Sequence, residues 1–198
     1  MTEETEELEL KDRLSLIESM IAEGRRTTES WGWTFLLWGV AYYVAIAWSA
    51  ISESPLAWPV TMIATCVLMM VLITRKVRSR PMTTSVRAMR AIWIAMGISM
   101  FTLLCSLGAS GRYNLHVFVA IIGAMLGTAN ATSSMILKWR MQFGCAVVWW
   151  AASVVSCFTS DTGTSIAFLV AIFFCQIVFG AYGMMCEARG RKQDASHG

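Results

Sequence analysis

Charged side chains are scarce in this chain, and they are missing from the places where a pump would need them. Only 15 % of the 198 residues are Asp, Glu, Lys or Arg, while 56 % are hydrophobic; roughly 25 % charged is usual in a soluble domain. With a mean hydropathy of +0.56, a water-soluble fold is not expected. No Asp, Glu, Lys or Arg falls in the interior of any long apolar run. Proton relays, ion coupling and voltage sensing therefore lack their usual carriers. Histidine is limited to His116, at a helix end, and His197, in the tail, which leaves a bis-His haem or a His-based zinc site short of ligands. The six cysteines (Cys66, Cys105, Cys145, Cys157, Cys175, Cys186) include no C-x-x-C pair and none in an outer loop, so structural disulfides are not expected. G-x-S-x-G, H-E-x-x-H and Walker A motifs are absent, as are paired intramembrane carboxylates. Nothing here marks an enzyme, and no cofactor, metal or nucleic-acid partner is expected.

What the chain has in abundance is long apolar sequence. Runs cover 31–51, 56–74, 90–108, 115–137, 141–158 and 164–186. At 1.5 Å rise per residue, runs of this length span a hydrocarbon core of ~30 Å, and in lipid every backbone amide must be satisfied within its own segment, which favours helices. The expected fold is all-α: a bundle of six transmembrane helices over 31–186, preceded by a cytosolic helix within 1–30 and followed by a basic tail, 187–198. The first run lacks a basic n-region and a small-residue cleavage site, so it does not read as a removable signal. The run from Met141 to Phe158 is the shortest.

Loop charge gives a direction. Arg75, Lys76, Arg78, Arg80, Arg87 and Arg90 separate the second and third runs, Lys138 and Arg140 the fourth and fifth, and Arg189, Arg191 and Lys192 follow the sixth. The alternate loops hold Glu53, Arg112 and Asp161. By the positive-inside rule both termini lie in the cytosol, and Trp31, Trp33, Trp93 and Trp139 read as an inner aromatic belt with Trp48 and Trp58 at the outer face.

Ahead of the first run, residues 1–24 carry Glu3, Glu4, Glu6, Glu7, Glu9, Asp12, Glu18 and Glu23 against Lys11 and Arg13. Leu10, Leu14, Ile17 and Ile21 recur at helical spacing, giving an amphipathic helix with an apolar stripe. Anionic inner-leaflet lipid repels such a helix. It is expected to fold onto the basic patch Arg75–Arg90, to pair with a second copy, or to meet a cytosolic or membrane protein; a solvated extension is the bland alternative.

Inside the runs the polar residues are neutral: Tyr42 and Tyr43 in the first, Asn130 in the fourth, Gln176 in the sixth. Interhelical hydrogen bonding is the common use of such residues, and a polar cavity or pore lining is the functional one. Gly123, Gly127 and Ala131 repeat at every fourth position, and Gly180 and Gly183 stand near the inner end of the sixth run; small residues at this spacing permit close helix packing, and the fourth and sixth runs are expected to be neighbours. Met69-Met70 and Met184-Met185-Cys186 offer soft ligands for Cu(I), but successive helical residues point about 100° apart and methionine fills gaps in any core.

The segment Ile17-Glu18-Ser19-Met20-Ile21 leading into Leu36-Leu37-Trp38-Gly39, with the stretch from Gly123 through Ile136-Leu137-Lys138 to Gly144 and Trp149, resembles an uncharacterised family of small multi-pass bacterial inner-membrane proteins. That resemblance implies an inner membrane and a shared fold, and it implies no activity. Two functions from different classes lead, an anchor or regulatory protein acting through its acidic helix and basic loop and a channel or facilitator for a small neutral solute or ion along the fourth and sixth runs, with a membrane enzyme or cofactor protein as the third reading.

Overall fold

A computed structural model describes residues 7–20, 31–52, 56–76, 84–111 and 114–196. Among them there is no strand. Helix α1 covers 7–20. The others are α2 (Gly32–Ser52), α3 (Ala57–Lys76), α4 (Thr84–Ser110), α5 (Leu115–Leu137) and α6 (Arg140–Phe158), followed by one long rod made of α7 (Asp161–Ile172), a π-helical turn (Phe173–Val178) and α8 (Phe179–Ser196). Six of these helices, counting the rod once, are long and apolar enough to cross a membrane. Two boundaries move outward relative to the apolar runs. The third helix begins at Thr84, so Arg87 and Arg90 ride on its first turns instead of lying in a loop. The last continues to Ser196, so helix runs through what reads as a basic tail.

Local chemistry sets the ends. The Asn114 side chain caps α5 by accepting from the Val117 N–H at 3.1 Å, and Ser160 caps α7 by accepting from the Gly163 N–H at 3.4 Å, each supplying an acceptor to an orphan amide of the first turn. Asp161 follows in the first turn of α7, where the helix dipole favours negative charge. Pro59 lies in the first turn of α3, where its missing N–H costs nothing. Between α5 and α6 the turn is only Lys138-Trp139: Lys138 adopts φ 49°, ψ 39°, and the Trp139 N–H closes on the Ser134 carbonyl at 3.0 Å. The run from Met141 to Phe158, short as it is, is a continuous helix packed along the full length of α5.

The core lies between α2, α5, α6 and the rod. Trp149, Val119, Ile122, Ile172 and Ala171 have essentially no exposed surface. Tyr42, Trp58, Phe118 and Phe168 form an aromatic group with centroids 6.2–6.4 Å apart. Helices α3 and α4 are peripheral: α3 packs mainly on α2 and α4 mainly on α5, and Ile63, Val67, Ile98 and Phe101 point outward. One end of the bundle gathers the start of α2, the start of α4, the α5–α6 turn and α8, through Phe35–Trp93 (5.5 Å), Phe35–Phe179 (5.2 Å) and Trp139–Phe179 (5.0 Å). This is the basic end, where Arg87, Arg90, Lys138 and Arg140 are found. Trp139 is buried there under Phe179, not presented outward as a belt residue.

Small residues make two close crossings. A Cβ at Gly32 would lie 2.7 Å from the Gly180 carbonyl oxygen and 3.1 Å from the Gly183 carbonyl carbon, and one at Gly180 would lie 2.8 Å from the Gly32 oxygen, so α2 and α8 touch backbone to backbone. At the other crossing a Cβ on Gly123 would meet the Trp149 carbonyl oxygen at 2.9 Å, one on Gly127 would run into the Trp150 indole, and Ala131 is buried on the same helix. The glycine face of α5 thus serves α6, while the glycines of the rod serve α2. The fourth and sixth runs do touch, through α5 and α7, but the close glycine crossings are made with other helices.

Candidate functional site

The four polar residues expected to line a cavity do not form one path. Tyr42 is buried in the aromatic group, with Trp38, Trp58 and Phe168 around it. Tyr43 donates its hydroxyl to the Leu169 carbonyl at 2.9 Å, tying α2 to α7. Asn130 turns its amide back to the Leu126 carbonyl of its own helix at 2.9 Å. Gln176 alone keeps a buried side-chain atom, Oε1, without a partner in the protein.

Gln142 joins it, a residue at the very start of the fifth run that sequence reading passed over. It is completely buried, and neither Nε2 nor Oε1 has a hydrogen-bond partner in the protein. The signal was there: Gln142, Cys145, Ala146 and Trp149 fall at helical spacing on one face, and all four are buried. Depth follows from the register. Ser153 donates to the Ala120 carbonyl at 2.7 Å and His116 meets the Ser156 carbonyl, so antiparallel α5 and α6 place Gln142 level with Asn130–Ser133. On the other side, Cys175 Sγ reaches the Cys145 carbonyl at 3.5 Å and Trp139 stacks near Phe179, so Gln142 is level with Gln176–Ile177. Ser133, fully buried, also leaves its hydroxyl oxygen unpartnered. Gln142, Gln176 and Ser133 therefore form a carboxamide-rich layer close to the basic end.

The π turn explains why Gln176 faces inward. Buried pairs recur at Ala171/Ile172, Cys175/Gln176 and Phe179/Gly180, a repeat of four residues. An α-helix turns about 100° per residue and would carry a four-residue repeat off the face; the wider π turn absorbs that drift. Such turns are frequently found at functional sites.

A second polar cluster lies at the opposite end. His116, which reads as solitary in sequence, holds Asp161 Oδ1 at 2.7 Å through Nε2. Its Nδ1 is 2.8 Å from the Ser156 carbonyl oxygen and 3.0 Å from Thr164 Oγ1; Thr164 Oγ1 also lies 3.2 Å from Thr159 Oγ1. Hydroxyl, imidazole and carboxylate are in the order of a hydrolytic triad. Thr164 is completely buried, however, and its partner nitrogen already faces a carbonyl, so no acyl group can reach the hydroxyl. The cluster is a clasp that joins α5, α6 and α7. Asp161→Asn keeps the shape but weakens this charge-assisted contact, and we expect a lower melting temperature for purified protein, with His116→Leu lower still because it also strips the Ser156 carbonyl and Thr164 of a partner.

Met69 accepts the Trp38 indole N–H on its sulfur at 3.3 Å, and among the described residues no three His, Cys, Asp or Glu side chains come together in a metal-binding group. Of the basic patch, Arg75 and Lys76 end α3 and Arg87 and Arg90 open α4; Arg78 and Arg80 lie outside the described residues, as does Ile21 of the N-terminal stripe. The rest of that stripe is open: Leu10, Leu14 and Ile17 are 59, 53 and 52 % exposed. Along α1, Glu7 pairs with Lys11 at 2.9 Å and Glu9 with Arg13 at 2.5 Å, the i, i+4 order that suits a helix. Comparison with protein-family models, with curated proteins and with solved structures gave no match.

Proposed function

We propose that the chain is a multi-pass, non-enzymatic protein of a bacterial inner membrane, with both termini in the cytosol, that acts by binding a protein partner through α1. The open stripe carries this reading. Leu10, Leu14 and Ile17 stand exposed on one face of a helix that also carries salt-bridged acids and the exposed Leu8 and Leu16, and an apolar stripe gains stability only when another surface covers it. Charge selects the surface: an apolar groove rimmed by Lys and Arg complements the acidic flanks, whereas anionic lipid repels them. The outward apolar faces of α3 and α4 are then covered by lipid, and positive-inside loops set the orientation.

A photo-crosslinking residue placed at Leu14 in cells, compared with one at Asp12 on another face, tests the reading. It predicts one discrete adduct from position 14 that fades when Glu9 and Glu18 are both changed to Lys. Adducts of equal yield from both positions, or only to lipid, sink it, and an adduct to the chain's own residues 75–90 replaces the outside partner with an internal one.

A facilitator for a small neutral solute is the second reading, favoured by the unpartnered carboxamides of Gln142 and Gln176. Trp149, Ile122, Phe168 and Ile172 fill the interior between that layer and the opposite end, so passage requires this plug to move.

A further inference from the structure

The geometry points to a binding site for a small uncharged primary amide or urea-type solute at the Gln142–Gln176 layer, close to the basic end of the bundle.

Three helical elements bring the site together. Gln142 comes from the first turn of α6, Ser133 from the last turns of α5, and Gln176 from the π turn of the rod. All three side chains are more than nine-tenths buried, and α6, which carries Gln142, packs against both α5 and the π turn. Their unpartnered atoms are complementary in kind: the Gln142 amide nitrogen donates, the Gln142 and Gln176 carbonyl oxygens accept, and the Ser133 hydroxyl does both. Asn130 is excluded, because its amide is committed to Leu126.

The chemistry of the ligand follows from two constraints. No ionised side chain is among the buried residues described, so a charged solute would lose its hydration with nothing to replace it. The ligand is therefore neutral. Gln142 presents both atoms of a planar carboxamide, and the group that answers a free N–H and a free C=O side by side is another carboxamide, through two parallel N–H···O=C bonds. A hydrocarbon leaves all these atoms unsatisfied, at the desolvation penalty each already carries. Trp139, buried against Phe179, accepts the Gln142 N–H on its carbonyl and so adjoins the layer on the side of the basic end. Binding here is independent of the association through α1 and needs no passage across the bundle.

Saturation-transfer NMR of acetamide with the full-length chain in nanodiscs tests the site, because it reads weak binding directly. The expected result is a transfer signal above that of empty nanodiscs, competed by urea and absent for acetate, the charged isostere. The variant Gln142→Leu/Gln176→Leu removes the unpaired atoms at similar volume, so it should fold with equal or better yield while acetamide affinity falls about tenfold or more, the equivalent of one to two hydrogen bonds. An acetamide signal no larger than the empty-disc control overturns the site. So does a signal shared with acetate, or one that survives in the folded variant. If the double variant yields no folded protein, Gln142→Met alone is read in the same way. Loss of α1 adducts leaves this result untouched, so the two proposals fail separately.

Discussion

Gly180→Val is expected to be one of the two most damaging single substitutions in the chain, because the space its side chain needs is already filled by backbone. A Cβ at that position comes within 2.8 Å of both the Gly32 carbonyl oxygen and the Leu36 amide nitrogen. Backbone in a helix has no rotamer by which to yield, so the first turns of α2 must move off α8. Inserting bulk into a packed interior costs about 1–3 kcal/mol, occasionally more, and valine here adds further methyl groups to a contact that even alanine overfills. Gly32→Val should act in the same way from the other side, and combining the two should cost less than the sum, since the first already separates the helices. Gly97→Val is the control: nothing lies within 4 Å of the Cβ it would add. Size-exclusion profiles after graded heating in detergent measure the effect, and equal survival of the Gly180 and Gly97 variants would sink the close-crossing account.

Trp149→Ala is expected to have an effect at least as large. The indole is the largest side chain with no exposed surface, and it packs against Phe168 at 6.0 Å. Truncating a buried Trp to Ala costs roughly 3–5 kcal/mol, with the spread set by how far the surroundings collapse into the cavity. Close packing drives helix association in lipid as it does in water, so the loss should carry over. Trp149→Phe separates packing from polarity. Phenylalanine keeps most of the bulk and discards an indole N–H that has no partner in the protein, so it should retain most of the stability. Similar melting temperatures for Trp149→Ala and Trp149→Phe would show that the site is not packed as described.

Much of the architecture was legible from the sequence because the run lengths and the scarcity of charge admit few alternatives. Six apolar runs reappear as six long apolar helices within a few residues of their expected ends. Where the ends differ, the reason is that hydropathy marks where apolar composition stops, while a helix stops where its hydrogen bonds do: Arg87 and Arg90 interrupt the first pattern without interrupting the second. Pairing of elements was not legible. The Gly123–Gly127 spacing announces a close approach but not the partner, and the partner is set by the two-residue turn at Lys138-Trp139, which folds α6 straight back along α5. The candidate layer was half visible. Gln176 stood out as a polar residue mid-run, whereas Gln142 sat at a run's edge and looked like boundary polarity. The π turn left no mark in the apolar periodicity, and His116 with Asp161 are far apart in sequence and meet only in three dimensions.

The brevity of that Lys138-Trp139 turn also has a kinetic side. Contacts between α5 and α6 close small loops, from Trp139 N–H to the Ser134 carbonyl at the turn out to Ser153 and Ala120, and loop-closure entropy rises with the length enclosed. The hairpin is thus the element whose assembly costs least chain entropy, and it offers the finished groove onto which the C-terminal rod and then α2 can dock. By contrast α3 and α4, sparsely buried and each held mainly by one neighbour, belong to the low-stability end of the molecule. The helices made last by the ribosome thus complete a core that the first apolar helix, α2, already belongs to, while α3 and α4 stay at its rim.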